Sequence, residues 1–355
     1  MSEPLQLVDW DLAVSAGTRM VRPGPQIARH EARQAVLDLR RYAVEARGHV
    51  REYTGLDAPA KDAPVAVVDR TAWLRANAAG FQVLIDPVAE RLSKRRPNSA
   101  GATLVTSVGS RLTGLEVGVL LAWLSGKVLG QYELLPTEAE RPRLLLVAPN
   151  VVEAERAMHV KPDDFRLWVC LHEETHRVQF GAVGWLRDHL VREVSNLLET
   201  FDPEPSEVLS RLREAVGSAA AAARTGTGGR SLLELIQTPE QRAKVDQLTA
   251  VMSLLEGHAD FVMDGVGPDV VPTVAEIREA FQARRTQVGP VDGALRRLLG
   301  LDAKLRQYRD GAAFVRHVVS AVGMSGFNRV WESAENLPKP AEIANPALWV
   351  ARVAT

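Results

Sequence analysis

The sequence predicts a predominantly α-helical α+β fold, and three observations carry that expectation. Apolar residues recur at helical spacing over long runs, at about 26–53, 74–94, 103–130, 164–199, 205–224, 239–264 and 302–322. Strand patterning is scarce, with Arg143-Leu144-Leu145-Leu146-Val147 as the best candidate. The composition, 46% hydrophobic and 25% charged over 355 residues, is that of an ordinary globular chain able to bury a sizeable core.

Taken in order, the N-terminal MSEPLQLVDWDLAVSAG places Glu3, Asp9 and Asp11 where a signal peptide needs basic and then apolar residues, so a cytoplasmic location is expected. The stretch from Leu112 to Gly130 is the most membrane-like, but Glu116 and Lys127 interrupt it, and it reads as a buried helix. Gly114, Gly118, Ala122, Gly126 and Gly130 recur four apart, a stripe of small residues that lets a neighbouring helix approach closely. The strand candidate lies between Pro142 and Pro149, which argues for a short strand near a sheet edge. Residues 220–231, AAAARTGTGGRS, lack apolar spacing and read as a flexible connection or flap. Pro338, Pro340 and Pro346 suggest an extended C-terminal tail anchored by Trp349. No internal repeat appears. A helical part, 1–130, packed on a catalytic part, 131–355, is the working division of a single compact body.

A net charge of -1 and a pI of about 6.7 give no global field that favours nucleic acid or an anionic membrane, and neither is expected as a partner. The one cysteine, Cys170, excludes an intrachain disulfide and a cysteine-based zinc cluster, which leaves His and carboxylate as metal ligands.

Such ligands occur in LHEETHRVQF, residues 171–180, inside a helical run that Asp163 or Asp164 can cap and that Phe165, Trp168 and Val169 can anchor. His172 and His176 stand one turn apart on one face and can converge on one ion. Glu173, about 100° around the helix, can reach a water held by that ion and act as general base. Downstream, Thr238-Pro239-Glu240-Gln241 marks a helix start, and Val245, Leu248, Met252, Leu255, Ala259 and Val262 form its core stripe. Glu256 borders that stripe and Asp260 follows one turn later, giving an ExxxD pattern after HExxH. His258 falls about 200° from Glu256 and reads as a packed histidine.

This pairing resembles the gluzincin clan. The resemblance implies Glu256 as third zinc ligand, with Asp260 orienting a ligating histidine, His172 being the candidate. More of the chain resembles the zincin-like metallopeptidases of type 2, a family long described as hydrolases of unknown function. The likeness runs through VDWDLA, VRPGP at 21–25, LLLVAPNV at 144–151, HEETH, EGHADFVMD at 256–264, KLRQYRDG at 304–311 and the stretch from Pro346 to Val353. It implies a zincin-like core with a small edge sheet and additional helices, one Zn2+ per chain, and hydrolysis of a peptide or small amide substrate.

Amide hydrolysis also needs a donor for the developing oxyanion. Tyr308 and His317 are candidates for that catalytic role, with packing or capping as the alternative for each. Arg306 and Arg309 are candidates to bind a substrate carboxylate, or else lie on a solvated face. Leu144 to Val147 can align an extended substrate if it is an edge strand, or serve as plain core. Two other readings stay open: a catalytically silent scaffold that binds a protein or peptide partner, and a di-iron bundle, for which Glu173-x-x-His176 supplies one of two needed motifs. The sequence leaves the oligomeric state open.

Overall fold

The computed structural model describes residues 6–58, 63–95, 100–135, 141–200, 238–286 and 301–354, with side chains undescribed at 92–95, 100–108, 285–286 and 301–309. The connection expected at 220–231 lies outside these residues. The helical α+β class is observed. By compactness the chain divides into two units, Met1–Ala182 with Val262–Gln282, and Val183–Phe261 with Ala283–Thr355. Residue 130, the working boundary in the sequence, falls inside the first unit. Among the described residues, no helix is long and apolar enough to cross a membrane.

The first unit contains α1 (Trp10–Met20), α2 (Arg29–Thr54), β1 (Val65–Val68), α3 (Arg70–Arg95), α4 (Ala100–Ser125), β2 (Gly130–Tyr132), β3 (Leu144–Val147), α5 (Ala148–Met158) and α6 (Pro162–Ala182). Helix α1 starts because the Asp9 carboxylate accepts from the Leu12 N–H at 2.9 Å, an N-cap. It lies against the small-residue stripe of α4. A Cβ on Gly114 would meet the Asp9 carbonyl at 2.5 Å, and one on Gly118 the Ala13 carbonyl at 2.5 Å. The close approach read from the stripe is thus real at Gly114 and Gly118, whereas Leu112, Leu115 and Val119 of the same helix are exposed.

The three strands form one sheet in the order β1-β3-β2, with β1 parallel and β2 antiparallel to β3. The 144–147 segment is therefore the central strand, fully buried, and not near an edge. Its prolines misled because Pro142 precedes the pairing and Pro149 opens α5, where a missing N–H costs nothing. The edge beside the histidine-bearing helix is β2, only three residues long and paired as Gly130 to Leu146 and Tyr132 to Leu144.

Helix α6 crosses this core. Phe165, Trp168, Val169 and Leu171 are buried beside Leu39, Ala43, Ala46 and Val50 of α2. At about 1.5–3 kcal/mol for each fully buried large apolar side chain, that face offsets the burial of polar groups further along the helix. The helix begins at Pro162, ahead of both Asp163 and Asp164, the caps read from the sequence. Asp164 instead accepts from the N–H and hydroxyl of Thr273, at 3.1 and 2.9 Å.

In the second unit, α7 (Leu186–Glu199) is followed by α8 (Pro239–Gly265), whose last residues, Val262 to Gly265, belong to the first unit. Its start is the expected capping box: Thr238 Oγ1 accepts from Gln241 N at 3.0 Å and Gln241 Oε1 from Thr238 N at 2.9 Å. Helix α9 (Val274–Thr286) belongs to the first unit as far as Gln282, and α10 (Leu301–Phe327) to the second. Helices α8 and α10 touch backbone to backbone, since a Cβ on Gly257 would stand 2.2 Å from the Gly311 carbonyl carbon. The C-terminus is not an extended tail. Pro340 and Pro346 sit in the first turns of short helices, α11 (Pro340–Ala344) and α12 (Pro346–Trp349), where proline is favoured. Trp349 is the anchor expected of it, fully buried, with its Nε1 donating to the Asn336 carbonyl at 2.7 Å.

Candidate metal centre

His172 and His176 occupy one face of α6, and their rings stand nearly perpendicular at 87°. Their Nε2 atoms point at each other across 3.2 Å. Two ligands bonded at about 2.0–2.1 Å to a tetrahedral ion are separated by about 3.3 Å, so this spacing suits one shared cation. Glu256, on α8 six residues before the buried Val262, supplies a carboxylate oxygen, and the ligand atoms of His172, His176 and Glu256 all lie within 4.8 Å of one another. This group could hold a metal ion. His172 and Glu256 are partly buried.

Glu173 is 6% exposed and lies directly over Gly130 of β2. A Cβ there would meet its Cδ at 2.5 Å, its Cγ at 2.6 Å and its Oε1 at 2.7 Å. The carboxylate occupies the space that any other residue at 130 would fill. One turn past His176, Phe180 stacks on Tyr132 of the same strand, with ring centroids 5.0 Å apart. The edge strand and the histidine helix are therefore joined within the motif and again one turn past it.

Behind the donors, Nδ1 of His176 is 3.0 Å from Oε1 of the fully buried Gln179, and Nδ1 of His172 is 3.4 Å from Sδ of Met263. Neither Gln179 nor Met263 stood out in the sequence. Gln179, three residues after His176, was open to detection by helical spacing alone, whereas Met263 comes from a distant helix and gives no local signal. Asp260 lies one turn past Glu256 and is partly buried. His258 is fully buried, packed against Phe327 and Trp331 at ring distances of 5.2 and 5.4 Å, as its helical angle predicts.

Glu174 faces the opposite way, into the interior. Burial pushes its carboxyl up to about 7, against the opposing pull of Arg177, which donates to it at 2.7 Å and to the Ala63 carbonyl at 2.9 Å. Burial also raises the Cys170 thiol well above its ordinary value, with the Glu174 and Glu173 charges adding to the effect. Cys170 is thus an inert core residue.

His317 is exposed on α10, six residues past Gly311 and so about 240° around the helix from the position that meets α8. The side chains of Arg306, Tyr308 and Arg309 lie outside those described.

The model of the zincin-like metallopeptidase family matches residues 8–350, and the chain belongs to that family. A protein from Chloroflexus aurantiacus, whose crystal structure is described provisionally as that of a hydrolase with a novel fold, is 33% identical, with a TM-score of 0.69 and 98% of each chain covered. No curated protein matches the chain.

Proposed function

We propose that this protein is a zinc-dependent hydrolase that cleaves peptide or small amide bonds, with His172, His176 and Glu256 as ligands and Glu173 as general base. The observation that carries the reading is the convergence of two imidazoles and one carboxylate from a distant helix within 4.8 Å, without a thiolate. Two His and one Glu form a donor set that leaves a coordination position open, as catalytic zinc sites do, whereas structural sites are closed by four protein ligands. Zinc held there supplies Lewis acidity toward water and toward the scissile carbonyl.

The chain's own groups then divide the work. Glu173 takes a proton from the attacking water as the water oxygen bonds to the carbonyl carbon, and returns it to the departing nitrogen when the C–N bond breaks. Its seat over Gly130, almost closed to solvent, fixes where that proton is held. Edge strand β2 favours an extended peptide, which can pair with main-chain groups beside the helix. Asp260 is assigned to orient His172. Of the two oxyanion-donor candidates the exposed His317 is the less suited, because a donor set in water stabilises developing charge weakly. Tyr308 is the one to test, by Tyr308→Phe.

Glu173→Gln removes the base and keeps the shape. Hydrolysis of a quenched-fluorescent peptide pool should fall about 10²–10⁴-fold while zinc is retained. Unchanged turnover by that variant would eliminate the mechanism. A wild-type chain that binds zinc and a peptide without cleaving it would point to a silent scaffold instead.

A further inference from the structure

We infer that Gln179 is the positioning residue of His176: it fixes which ring nitrogen carries the proton and so presents the Nε2 lone pair toward the cation. The inference rests on the metal centre proposed above and adds a residue to it.

Gln179 is fully buried on α6, where an apolar side chain would pack at no electrostatic cost, and a primary amide taken from water is costly unless bonded. Its Oε1 lies 3.0 Å from His176 Nδ1. A carbonyl oxygen only accepts, so Nδ1 must hold the ring proton, and in a neutral imidazole Nε2 is then left with the lone pair. The inward arrangement therefore keeps the His176 Nε2 lone pair facing His172 Nε2, 3.2 Å away, on the side where a cation would sit. The reversed amide would donate to Nδ1, move the His176 proton to Nε2 and aim N–H where a ligand is needed. Helical spacing makes the contact local: Gln179 follows His176 by three residues, so it holds the ring from the same helix and independently of α8.

Two measurements on the full-length protein test this, one without metal. In the metal-free protein labelled with ¹⁵N-histidine, the shifts and couplings of His176 should report protonated Nδ1 and unprotonated Nε2. In Gln179→Leu, both forms should be populated. Zinc dissociation constants by chelator competition should then be about 10–100-fold weaker for Gln179→Leu, and Gln179→Glu, which keeps an acceptor, should match or exceed wild-type affinity. Circular dichroism of each variant separates lost folding from lost orientation, and Gln179→Glu keeps the comparison decisive if Gln179→Leu fails to fold. A wild-type His176 with unprotonated Nδ1, a Gln179→Leu chain with wild-type affinity and tautomer, or a Gln179→Glu chain that folds yet loses about 10-fold or more in affinity would each overturn the inference. Failure of the wild-type chain to bind zinc would instead defeat the metal-centre proposal, while the metal-free tautomer would still decide the orientation by Gln179.

Discussion

Gly130→Ala places one methyl group against the Glu173 carboxylate. The added Cβ would lie 2.5 Å from Cδ, and ordinary van der Waals contact begins near 3.4 Å, so about 0.9 Å of separation must be created. Little of it can come from β2, since Gly130 is paired in register to Leu146 on the central strand. Most of it falls on Glu173, which is 6% exposed with little free volume to retreat into. Overpacking of this kind costs about 1–3 kcal/mol of stability. Displacing a catalytic group by about 1 Å costs on the order of 10²-fold in rate. The assay is a double-mutant cycle by chemical denaturation across Gly130→Ala and Glu173→Ala, run alongside peptide hydrolysis. Removing the Glu173 carboxylate should recover most of the stability lost at Gly130, a coupling of about 1–3 kcal/mol. Gly184→Ala, where an added Cβ meets nothing within 4 Å, is the control for a general glycine effect. Additive stabilities, or full activity in Gly130→Ala with peptide, would refute the claim that residue 130 is shaped around the base.

Gly257→Ala should destabilise the chain by about 3 kcal/mol or more and weaken zinc binding through the neighbouring Glu256, because its Cβ would meet Gly311 backbone at 2.2 Å; denaturant titration and chelator competition read both. Trp349→Ala should cost about 3–5 kcal/mol in the same titration, since the whole indole is buried. Glu342 is raised by burial but lowered further by hydrogen bonds from Arg352 and the Lys339 N–H, and ends below its ordinary value of 4.5. A depressed carboxyl stabilises the fold above its unfolded value and loses that contribution as pH falls through the folded value. Glu342→Gln should therefore be less stable at neutral pH by about 1–3 kcal/mol and should differ progressively less from wild type below pH 4.5, as followed by melting temperature against pH.

The long helices were legible because periodicity is a property of one segment. Thr238 and Gln241 announced their capping box three residues apart, and His172 and His176 announced two imidazoles on one helix face, with the Glu173 carboxylate beside them, for the same reason. What escaped depends on pairing at a distance. Three residues at 130–132 carry no alternation to detect, and they are a strand only because Leu144, Leu145 and Leu146 lie beside them. The edge role was accordingly assigned to 144–147, whose prolines look like those of an edge strand but lie outside the pairing. The C-terminal prolines were read as helix breakers, although at the first turn of a helix the absent N–H is no loss. Gly130 belonged to a stripe of small residues read as helix packing. Its contact with Glu173 appears only once the strand is known.

Metal analysis of the native, full-length protein by inductively coupled plasma mass spectrometry, beside His176→Ala and Glu256→Ala, tests the central claim most directly. One zinc per wild-type chain is expected, with a large loss in both variants. Zinc retained equally by all three proteins, two irons per chain, or no bound metal in the wild type would contradict it.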